Sequence, residues 1–213
     1  MHLPRLLLAL PLAFALAAPA LRADDTEEFL KPDNWEGRSD IWKVEKGTIV
    51  GETKEDPKYN TFLCSKKKYG DFELSYKVKL TDDVGNSGVQ IRSERFDKDG
   101  SDNKQPFRVK GPQVDAAKGY HGLLYGEGVG GYMQKPKKDA SKAKEFNEYK
   151  VVVKGNHYAI SVNGEVVNEG DFPDNGGKNP APKEGIIAFQ VHAGVKAMKV
   201  EYTDIKFTDL SKK

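Results

Sequence analysis

Three short segments of the chain place chemically capable polar side chains at alternate positions. The pairs are Gln90 with Arg92, Gln113 with Asp115, and Gln190 with His192. Successive residues of a β-strand point to opposite faces, so each pair is expected on one face, with an aliphatic residue between its members on the other. Amides and a guanidinium can bind hydroxyl groups, and a carboxylate with an imidazole can perform acid–base chemistry. If the three strands are neighbours, the sequence predicts one polar groove.

The segment after Asp115 adds ring side chains that suit the rim of such a groove. Tyr120, His121 and Tyr125 follow within ten residues, and aromatic faces pack against the C–H faces of sugars. This combination favours a sugar as the ligand. The alternative is that the three pairs are unrelated outward positions on separate strands, and the sequence leaves that alternative open.

The elements that would position these residues are predicted to be β-strands. Phe72–Leu80 alternates apolar and polar residues over nine positions. Asn163-Gly164 is a pair typical of a type I′ hairpin turn, and a change of phase near Thr203-Asp204 indicates a bulge. Further strands are predicted at 42–44, 48–50, 149–153 and 158–162. Many short strands separated by Gly, Asn and Asp predict an all-β fold, an antiparallel jelly-roll β-sandwich of two sheets.

The connections between these strands are polar and rich in Gly and Pro. Loops are predicted at 97–105, 135–144 and 172–183, and residues 139–146 are the one stretch expected to form a helical turn or two. With no internal repeat, the simplest division is a leader at 1–23 followed by one domain at 24–213.

The first 23 residues differ sharply from the rest. Met1–Arg5 is a short basic segment, and the apolar stretch Leu6–Leu21 ends before two acidic residues. This pattern is typical of a secretory signal peptide, cleaved after Ala23 or after Ala20, with a retained anchor as the alternative. The sequence therefore predicts a secreted or periplasmic protein without stable membrane insertion.

Charge and composition exclude several other functions. Without Arg5 and Arg22 of the leader, 32 basic residues balance 32 acidic ones, so the chain offers no basic patch for nucleic acid. Its single cysteine, Cys64, cannot form an internal disulfide and is expected to be a small buried residue. Gly126–Gly131 matches the letters of a dinucleotide-binding motif, but no βαβ unit surrounds it, so a glycine loop beside the groove is the better interpretation.

Several segments of the chain, in order, resemble the 3-keto-disaccharide hydrolase domain family. The segments that carry the resemblance are 86–92, 111–115, 119–126, 147–149, 163–164, 185–192 and 200–207. Together they span nearly the whole of the predicted domain. The resemblance implies a concanavalin A-like jelly roll, export from the cytoplasm, and action on sugars whose C3 hydroxyl has been oxidised to a ketone.

A mechanism follows from that substrate as a hypothesis. A C3 ketone acidifies the C2 hydrogen, so a base can form an enediolate that expels the C1 substituent before water adds. We expect His192 or Asp115 as the base, Arg92 as the charge that stabilises the enediolate, and Tyr125 or Glu127 as the group that assists the leaving oxygen. The residues expected to bind the substrate are Gln90, Gln113, Gln190, Tyr120, His121, Tyr125 and Glu127.

Two further questions stay open at the level of the sequence. A divalent cation held by Asp115 and His192 could polarise the ketone, although two ligands are few for a metal site, so no cofactor or metal residue is assigned. The alternative functions are a carbohydrate-binding β-sandwich module without turnover and, less specifically, an interaction domain of an envelope assembly.

Overall fold

The computed structural model describes residues 23–96, 105–173 and 182–211, which form a two-layer β-sandwich. One helix, α1 (Ala23–Phe29), and two 3-10 turns, at Pro32–Asn34 and Thr81–Asp83, accompany the strands. The strands of the described part are β1 (Trp35–Glu36), β2 (Trp42–Glu45), β3 (Thr48–Thr53), β4 (Thr61–Tyr69), β5 (Phe72–Leu80), β6 (Ser87–Arg95), β7 (Val109–Ala116), β8 (Leu124–Glu127), β9 (Gly131–Gln134), β10 (Asn147–Lys154), β11 (His157–Val162), β12 (Glu165–Asp171), β13 (Gly185–Val191) and β14 (Met198–Asp209).

The strands form two seven-stranded sheets in which every pairing is antiparallel. The site sheet has the order β1-β4-β13-β6-β7-β8-β9, and the backing sheet has the order β12-β11-β10-β5-β14-β3-β2. The prediction of an antiparallel β-sandwich of two sheets is confirmed. The three strands with paired polar residues, β6, β7 and β13, are neighbours in the site sheet, so the alternative of three separate strand edges is wrong.

Local patterns predicted several elements closely. β5 spans Phe72–Leu80 as predicted, and its five apolar side chains are buried in the core. Asn163 and Gly164 have φ values of 51° and 83°, as a type I′ turn requires of both central residues. The predicted bulge is present in β14, where the register with β5 shifts between Thr203 and Lys206 and Asp204 has a φ of 51°.

Other expectations differ from the structure or lie outside it. Residues 139–146 form an irregular turn and no helix, because the Asn147 side chain bonds the Lys142 N–H and the carbonyls of Lys142 and Glu145. Helix α1 was not predicted, and it is fixed by Thr26, whose hydroxyl exchanges hydrogen bonds with the backbone of Phe207. The leader at 1–22 and parts of two predicted loops, at 97–104 and 174–181, lie outside the described residues.

Tyrosines of the backing sheet cross the core and fix the strands of the site sheet. Tyr149 on β10 donates to the carbonyl of Asp115 at 3.1 Å, and Tyr202 on β14 contacts the carbonyl of Gly88 at 3.2 Å and the Ser87 hydroxyl at 2.7 Å. Both rings are fully buried. A buried hydrogen bond to a backbone carbonyl fixes the height of the strand above the core, so the outer face of β6 and β7 is positioned from within.

A glycine opposite Asp115 leaves room for the side chains of that outer face. Gly88 on β6 pairs with Asp115 on β7. A Cβ at Gly88 would lie 2.7 Å from the Val114 carbonyl oxygen and 3.0 Å from the Gln113 Nε2 atom. Both distances are below ordinary contact, and the first involves backbone that cannot rotate away. The sequence therefore needs Gly88 for the Gln113 amide to lie across the strand.

We expect Gly88→Ala to lower the free energy of unfolding by about 1–3 kcal/mol, because an added methyl group must displace backbone or Gln113. The matched control is Gly170→Ala on β12, where the nearest atom to the new Cβ is the Tyr158 hydroxyl at an ordinary 3.7 Å. The control should leave the stability unchanged or raise it slightly. Urea unfolding of both variants measures the difference, and equal effects would contradict this account of Gly88.

Candidate functional site

A polar cavity of about 310 Å³ lies on the outer face of the site sheet. Its volume is at the lower end of the range of about 300–1,000 Å³ usual for small-molecule sites. The predicted residues that line it are Gln113, Asp115, Tyr120, Tyr125, Glu127, Gln190 and His192. Asn60, Asn86 and Leu123 also line it and were not predicted, and Gly128 of the predicted glycine loop completes the lining. The predicted glycine loop beside the groove is therefore confirmed by Gly128, which belongs to the turn between β8 and β9.

The floor of the cavity is a chain of hydrogen bonds between side chains, in which each group donates to the next. The Ser93 hydroxyl donates to Gln90 Oε1 at 2.6 Å, and Gln90 Nε2 donates to Gln113 Oε1 at 2.6 Å. Gln113 Nε2 uses its two hydrogens on Asp115 Oδ1 at 2.6 Å and on Gln190 Oε1 at 3.0 Å. While Asp115 is ionised, rotating the amide of Gln90 or Gln113 alone by 180° would oppose donor to donor or acceptor to acceptor, so the hydrogen bonds favour this one arrangement.

Gln90 supports the site but is not among the residues that line the cavity. Its side chain is fully buried beneath the cavity, and both ends are used, by Ser93 and by Gln113. The prediction that Gln90 binds substrate directly is wrong. Its function in the structure is to hold the Gln113 amide in the orientation that Asp115 and Gln190 require.

Asp115 is a buried carboxyl group with a strongly perturbed acidity. Only 4% of the residue is exposed, and burial raises its pKa from 3.8 to about 7, with a smaller upward contribution from the nearby Glu127 carboxylate. The hydrogen bond from Gln113 acts in the opposite direction. A carboxyl group with a pKa near neutrality exchanges protons readily at physiological pH, as a general base or acid must.

His192 presents one defined ring nitrogen to the cavity. Its Nδ1 atom lies at hydrogen-bond distance from the Ala193 carbonyl oxygen, and its backbone N–H donates to the Asn86 carbonyl at 3.3 Å. A carbonyl oxygen only accepts, so Nδ1 carries a hydrogen. In the neutral imidazole the lone pair is then on Nε2, which can accept a proton or a hydroxyl hydrogen bond.

Two polar atoms at the cavity have no partner within the described part of the protein. They are the Gln190 Nε2 donor and the Asn86 Oδ1 acceptor, both inaccessible to bulk solvent. A buried polar group without a partner costs about 1–3 kcal/mol, so such atoms need an explanation. Gln190 lines the cavity, its Oε1 atom accepts from Gln113, and its Nε2 hydrogens are left without a partner in the described residues. Asn86 Oδ1 offers the complementary acceptor for a hydroxyl group.

The rim combines aromatic rings with a bridge across the cavity. Tyr120 is 42% exposed, and Tyr125 on β8 lies beside Gln113 on β7. Burial raises the pKa of Tyr125, so its phenol stays protonated and can donate a hydrogen bond. Asn60, which precedes β4, donates to Glu127 Oε1 at 3.1 Å and thereby joins the two sides of the rim.

Arg92 does not lie in the cavity, so its predicted role is wrong. The register of β6 with β7 shifts between Gln90 and Glu94, and Arg92 has a φ of 47°, which turns its side chain away from the outer face. Its guanidinium donates to the carbonyls of Gly70 and Gly155 and pairs with Asp71 at 2.8 Å, where loops of the two sheets meet. The bulge places Ser93 on the cavity side instead. Strict alternation could not reveal this change of phase.

His121 also lies elsewhere than predicted. Its Nδ1 atom is 2.8 Å from the Tyr149 hydroxyl, and that hydroxyl donates its own hydrogen to the Asp115 carbonyl, so His121 Nδ1 is the donor. Burial lowers the pKa of His121 and favours the neutral ring. The residue supports the strand behind Asp115 and does not line the cavity.

The residues missed by sequence reasoning had weak local signals. Asn86 immediately precedes Ser87-Gly88, in a segment that the family resemblance included, but it lies just before the strand begins, where alternation gives no face. Asn60 lies just before β4, and only the fold brings it to Glu127, which is 67 residues away in the chain. A metal site gains no support: within the described ranges no group of three or more His, Cys, Asp or Glu could hold an ion.

A family model now decides the relationship of the chain to known proteins. The model of the 3-keto-α-glucoside-1,2-lyase-like domain, which is the suspected 3-keto-disaccharide hydrolase family, matches residues 26–208. The chain belongs to this family. Membership places the lyase-like domain among carbohydrate-active β-sandwich proteins. No curated protein matches the chain at a significant level.

Solved structures share the fold of the lyase-like domain at low sequence identity. A protein from Parabacteroides distasonis, assigned provisionally to the glycosyl hydrolases, is 20% identical with a TM-score of 0.57, covering 84% of this chain and 94% of that one. The carbohydrate-binding module CBM66 from Bacillus subtilis is 16% identical with a TM-score of 0.54, covering 82% and 94%. A Bacillus subtilis protein with a galectin-like fold is 14% identical with a TM-score of 0.52, covering 83% and 90%. These likenesses confirm the jelly-roll fold.

Cys64 is a small buried residue of the lyase-like domain, as predicted. Cys64 is fully buried in a small apolar cluster on the site sheet with Phe62, Val109, Ile186 and Ala188. Among the described residues no helix has the length and apolar character needed to cross a bilayer.

The burial of Asp115 predicts that its removal stabilises the protein at high pH. The folded state raises the pKa of Asp115 above its unfolded value of 3.8, so the contribution of this group to stability is greatest below pH 4 and is lost as the pH rises to about 7. We expect Asp115→Asn, which keeps the acceptor for Gln113, to match the wild type near pH 4 and to exceed it by a few kcal/mol at pH 8.

Thermal or urea unfolding across this pH range tests the expectation, with Asp204→Asn as the control. Asp204 is exposed, and Lys77 lowers its pKa, so its removal should not stabilise the protein at pH 8. A difference between Asp115→Asn and the wild type that does not grow with pH would contradict the raised pKa.

The contacts of Arg92 predict a structural effect of its loss. Arg92→Met removes bonds to two carbonyls and to the partly exposed Asp71, and we expect it to lower the free energy of unfolding by about 2–4 kcal/mol. Arg38→Met is the control, because Arg38 pairs with the exposed Asp40 and should contribute at most about 1 kcal/mol. Equal losses in urea unfolding would overturn this assignment of Arg92.

Proposed function

We propose that the protein cleaves 3-keto-glucosides by elimination across C1 and C2. The observation that carries the proposal is the buried Asp115, with a pKa near 7, beside an unpartnered donor, Gln190 Nε2, in a cavity of sugar-sized volume. A C3 ketone makes the C2 hydrogen acidic, and the resulting enediolate carries its negative charge on the C3 oxygen. The site thus holds a base and an oxyanion donor, which this reaction requires.

The steps assign one role to each group. Asp115 takes the proton from C2, and the electrons of that bond enter an enediolate whose C3 oxygen accepts a hydrogen bond from Gln190 Nε2. Collapse of the enediolate forms the C1–C2 double bond and breaks the bond from C1 to the leaving oxygen, which takes a proton from Tyr125. Addition of water to the unsaturated 3-keto sugar then completes a net hydrolysis.

The remaining lining residues orient the sugar. Asn86 Oδ1 accepts from a ring hydroxyl, and His192 Nε2 accepts from another. We assign the C2 proton to Asp115 and not to His192, because Gln113 fixes one carboxyl oxygen and burial raises its basicity. Gln190 replaces the cation expected from Arg92. A neutral donor stabilises the enediolate without lowering the pKa of Asp115, as a guanidinium at that position would.

We also propose that the protein acts outside the cytoplasm. The leader pattern of residues 1–23 supports this proposal, and the Asp25 carboxylate, which accepts from the backbone of Asp209, lies after both predicted cleavage positions. Cleavage after Ala23 would leave that contact intact. N-terminal sequencing of the protein recovered from its native compartment tests the cleavage position.

Elimination predicts turnover that depends on the ketone and on Asp115. We expect the wild type to release 4-nitrophenol from a 4-nitrophenyl 3-keto-glucoside and not from the unoxidised glucoside, with a primary isotope effect when C2 carries deuterium. The value of kcat/KM should fall about tenfold per unit below about pH 7, because Asp115 must be ionised. Asp115→Asn should lower kcat at least 100-fold, the usual contribution of a general base.

The variants separate catalysis from binding alone. Gln190→Ala should lower kcat more than it changes KM, because its hydrogen bond strengthens as the enediolate forms. His192→Gln should mainly raise KM. Two results together would overturn the proposed enzymatic function in favour of a carbohydrate-binding module. They are no release of 4-nitrophenol from either anomer of the 3-keto substrate, and tight binding of unoxidised glycans that is unchanged in Asp115→Asn.

A further inference from the structure

A second cavity, the annex, lies directly beside the cavity that holds Asp115. It has a volume of about 630 Å³, roughly twice that of the first, and Tyr120 and Leu123 line both. The annex is otherwise bounded by two segments, 118–119 after β7 and 135–139 after β9. An exposed aromatic ring at the boundary of two polar cavities is suited to separate two parts of one ligand.

The two cavities have opposite charge. The annex is lined by Lys118, Lys135 and Lys138 together with one carboxylate, Asp139. The Asp139 carboxylate accepts from the backbone and hydroxyl of Ser141, and Lys138 pairs with Glu165. The first cavity instead contains the carboxylates Asp115 and Glu127, and no Lys or Arg is among the described residues that line it. A ligand spanning both cavities would therefore experience a change of potential at Tyr120.

The two segments that carry the lysines are held at a fixed separation. Asn168 on β12 is 1% exposed, and its Nδ2 atom donates to the Gly122 carbonyl at 3.1 Å and to the Gln134 carbonyl at 2.8 Å. The Lys137 N–H donates to the carbonyl of Val167 at 2.7 Å. Gly122 has a φ of 77°, and a Cβ there would lie 2.4 Å from Val167, so the turn after Tyr120 fits closely against β12. These hydrogen bonds and this close packing hold in place the two segments that bound the annex.

We propose that the annex binds the leaving group of the substrate and selects one that carries negative charge, such as a carboxylate. This inference rests on the proposed elimination. With C2 of the sugar at Asp115, a bulky C1 substituent extends beyond the small first cavity, and the annex adjoins that cavity at Tyr120. Exposed lysines attract an anionic group over about 8–10 Å at moderate ionic strength, so the preference weakens with salt.

The test compares two leaving groups of the same shape. 4-Carboxyphenyl and 4-carbamoylphenyl 3-keto-glucosides differ mainly in charge, and the ratio of their kcat/KM values defines the charge preference. We expect the double variant Lys118→Gln/Lys135→Gln to lower this ratio at least fivefold relative to the wild type. Comparing the ratio between proteins cancels the intrinsic reactivity of the two leaving groups. Raising NaCl from 20 mM to 500 mM should lower the wild-type ratio as well.

The control variant is Lys43→Gln/Lys46→Gln, which removes the same charge at β2, the opposite edge of the backing sheet from β12. It should leave the ratio at the wild-type value. A ratio unchanged in the Lys118/Lys135 variant overturns the annex inference while the proposed elimination stands.

Absence of cleavage of both substrates overturns the elimination instead. In that case the annex proposal is tested by itself, by measuring the affinities of the unoxidised 4-carboxyphenyl and 4-carbamoylphenyl glucosides by calorimetry. A preference for the carboxylate that is lost in the Lys118/Lys135 variant supports the anionic subsite, and equal binding of the two compounds excludes it.

Discussion

The amide of Gln113 is the interaction on which the rest of the site depends. Its nitrogen holds both Asp115 and Gln190, and its oxygen is fixed by Gln90. Because an amide has distinct donor and acceptor ends, this one orientation determines which atom of Gln190 faces the cavity and which oxygen of Asp115 is occupied. A site built from neutral amides can thus present a donor of defined direction without a cation.

No cation is among the described residues that line the cavity, and this matters for the acidity of Asp115. A guanidinium a few ångströms from a carboxylate lowers its pKa by one to three units, whereas burial raises it. The bulge in β6 turns Arg92 toward Asp71 and therefore keeps its positive charge away from Asp115. Arg92 joins the loops of the two sheets, and Asp115 keeps a pKa near neutrality. The same burial makes the ionised site a source of instability that the apolar core between the sheets must offset.

The interior between the two sheets and the outer face of the site sheet have different functions in the protein. The interior supplies the apolar packing, and Tyr149 and Tyr202 extend from it to the backbone of β7 and β6. The outer face of the site sheet is then free to carry polar residues, which explains why a chain with only 38% apolar residues can form a stable fold. His121 belongs to this supporting layer, since it donates to the tyrosine that holds the Asp115 strand.

The sequence by itself determined the strands, the turn at Asn163-Gly164, the bulge at Asp204 and most of the polar lining, because alternation and turn chemistry act between residues that are close in the chain. Tertiary structure decided what depends on more than one strand. Arg92 left the predicted face because β6 and β7 pair with a shift in register, and Gln90 became a buried support because Gln113 and Ser93 cover it. The raised pKa of Asp115 and the hydrogen bond from Asn60 to Glu127 arise only when β4, β7, β8 and β13 assemble into one sheet, since desolvation is a property of the assembled surface and not of any segment.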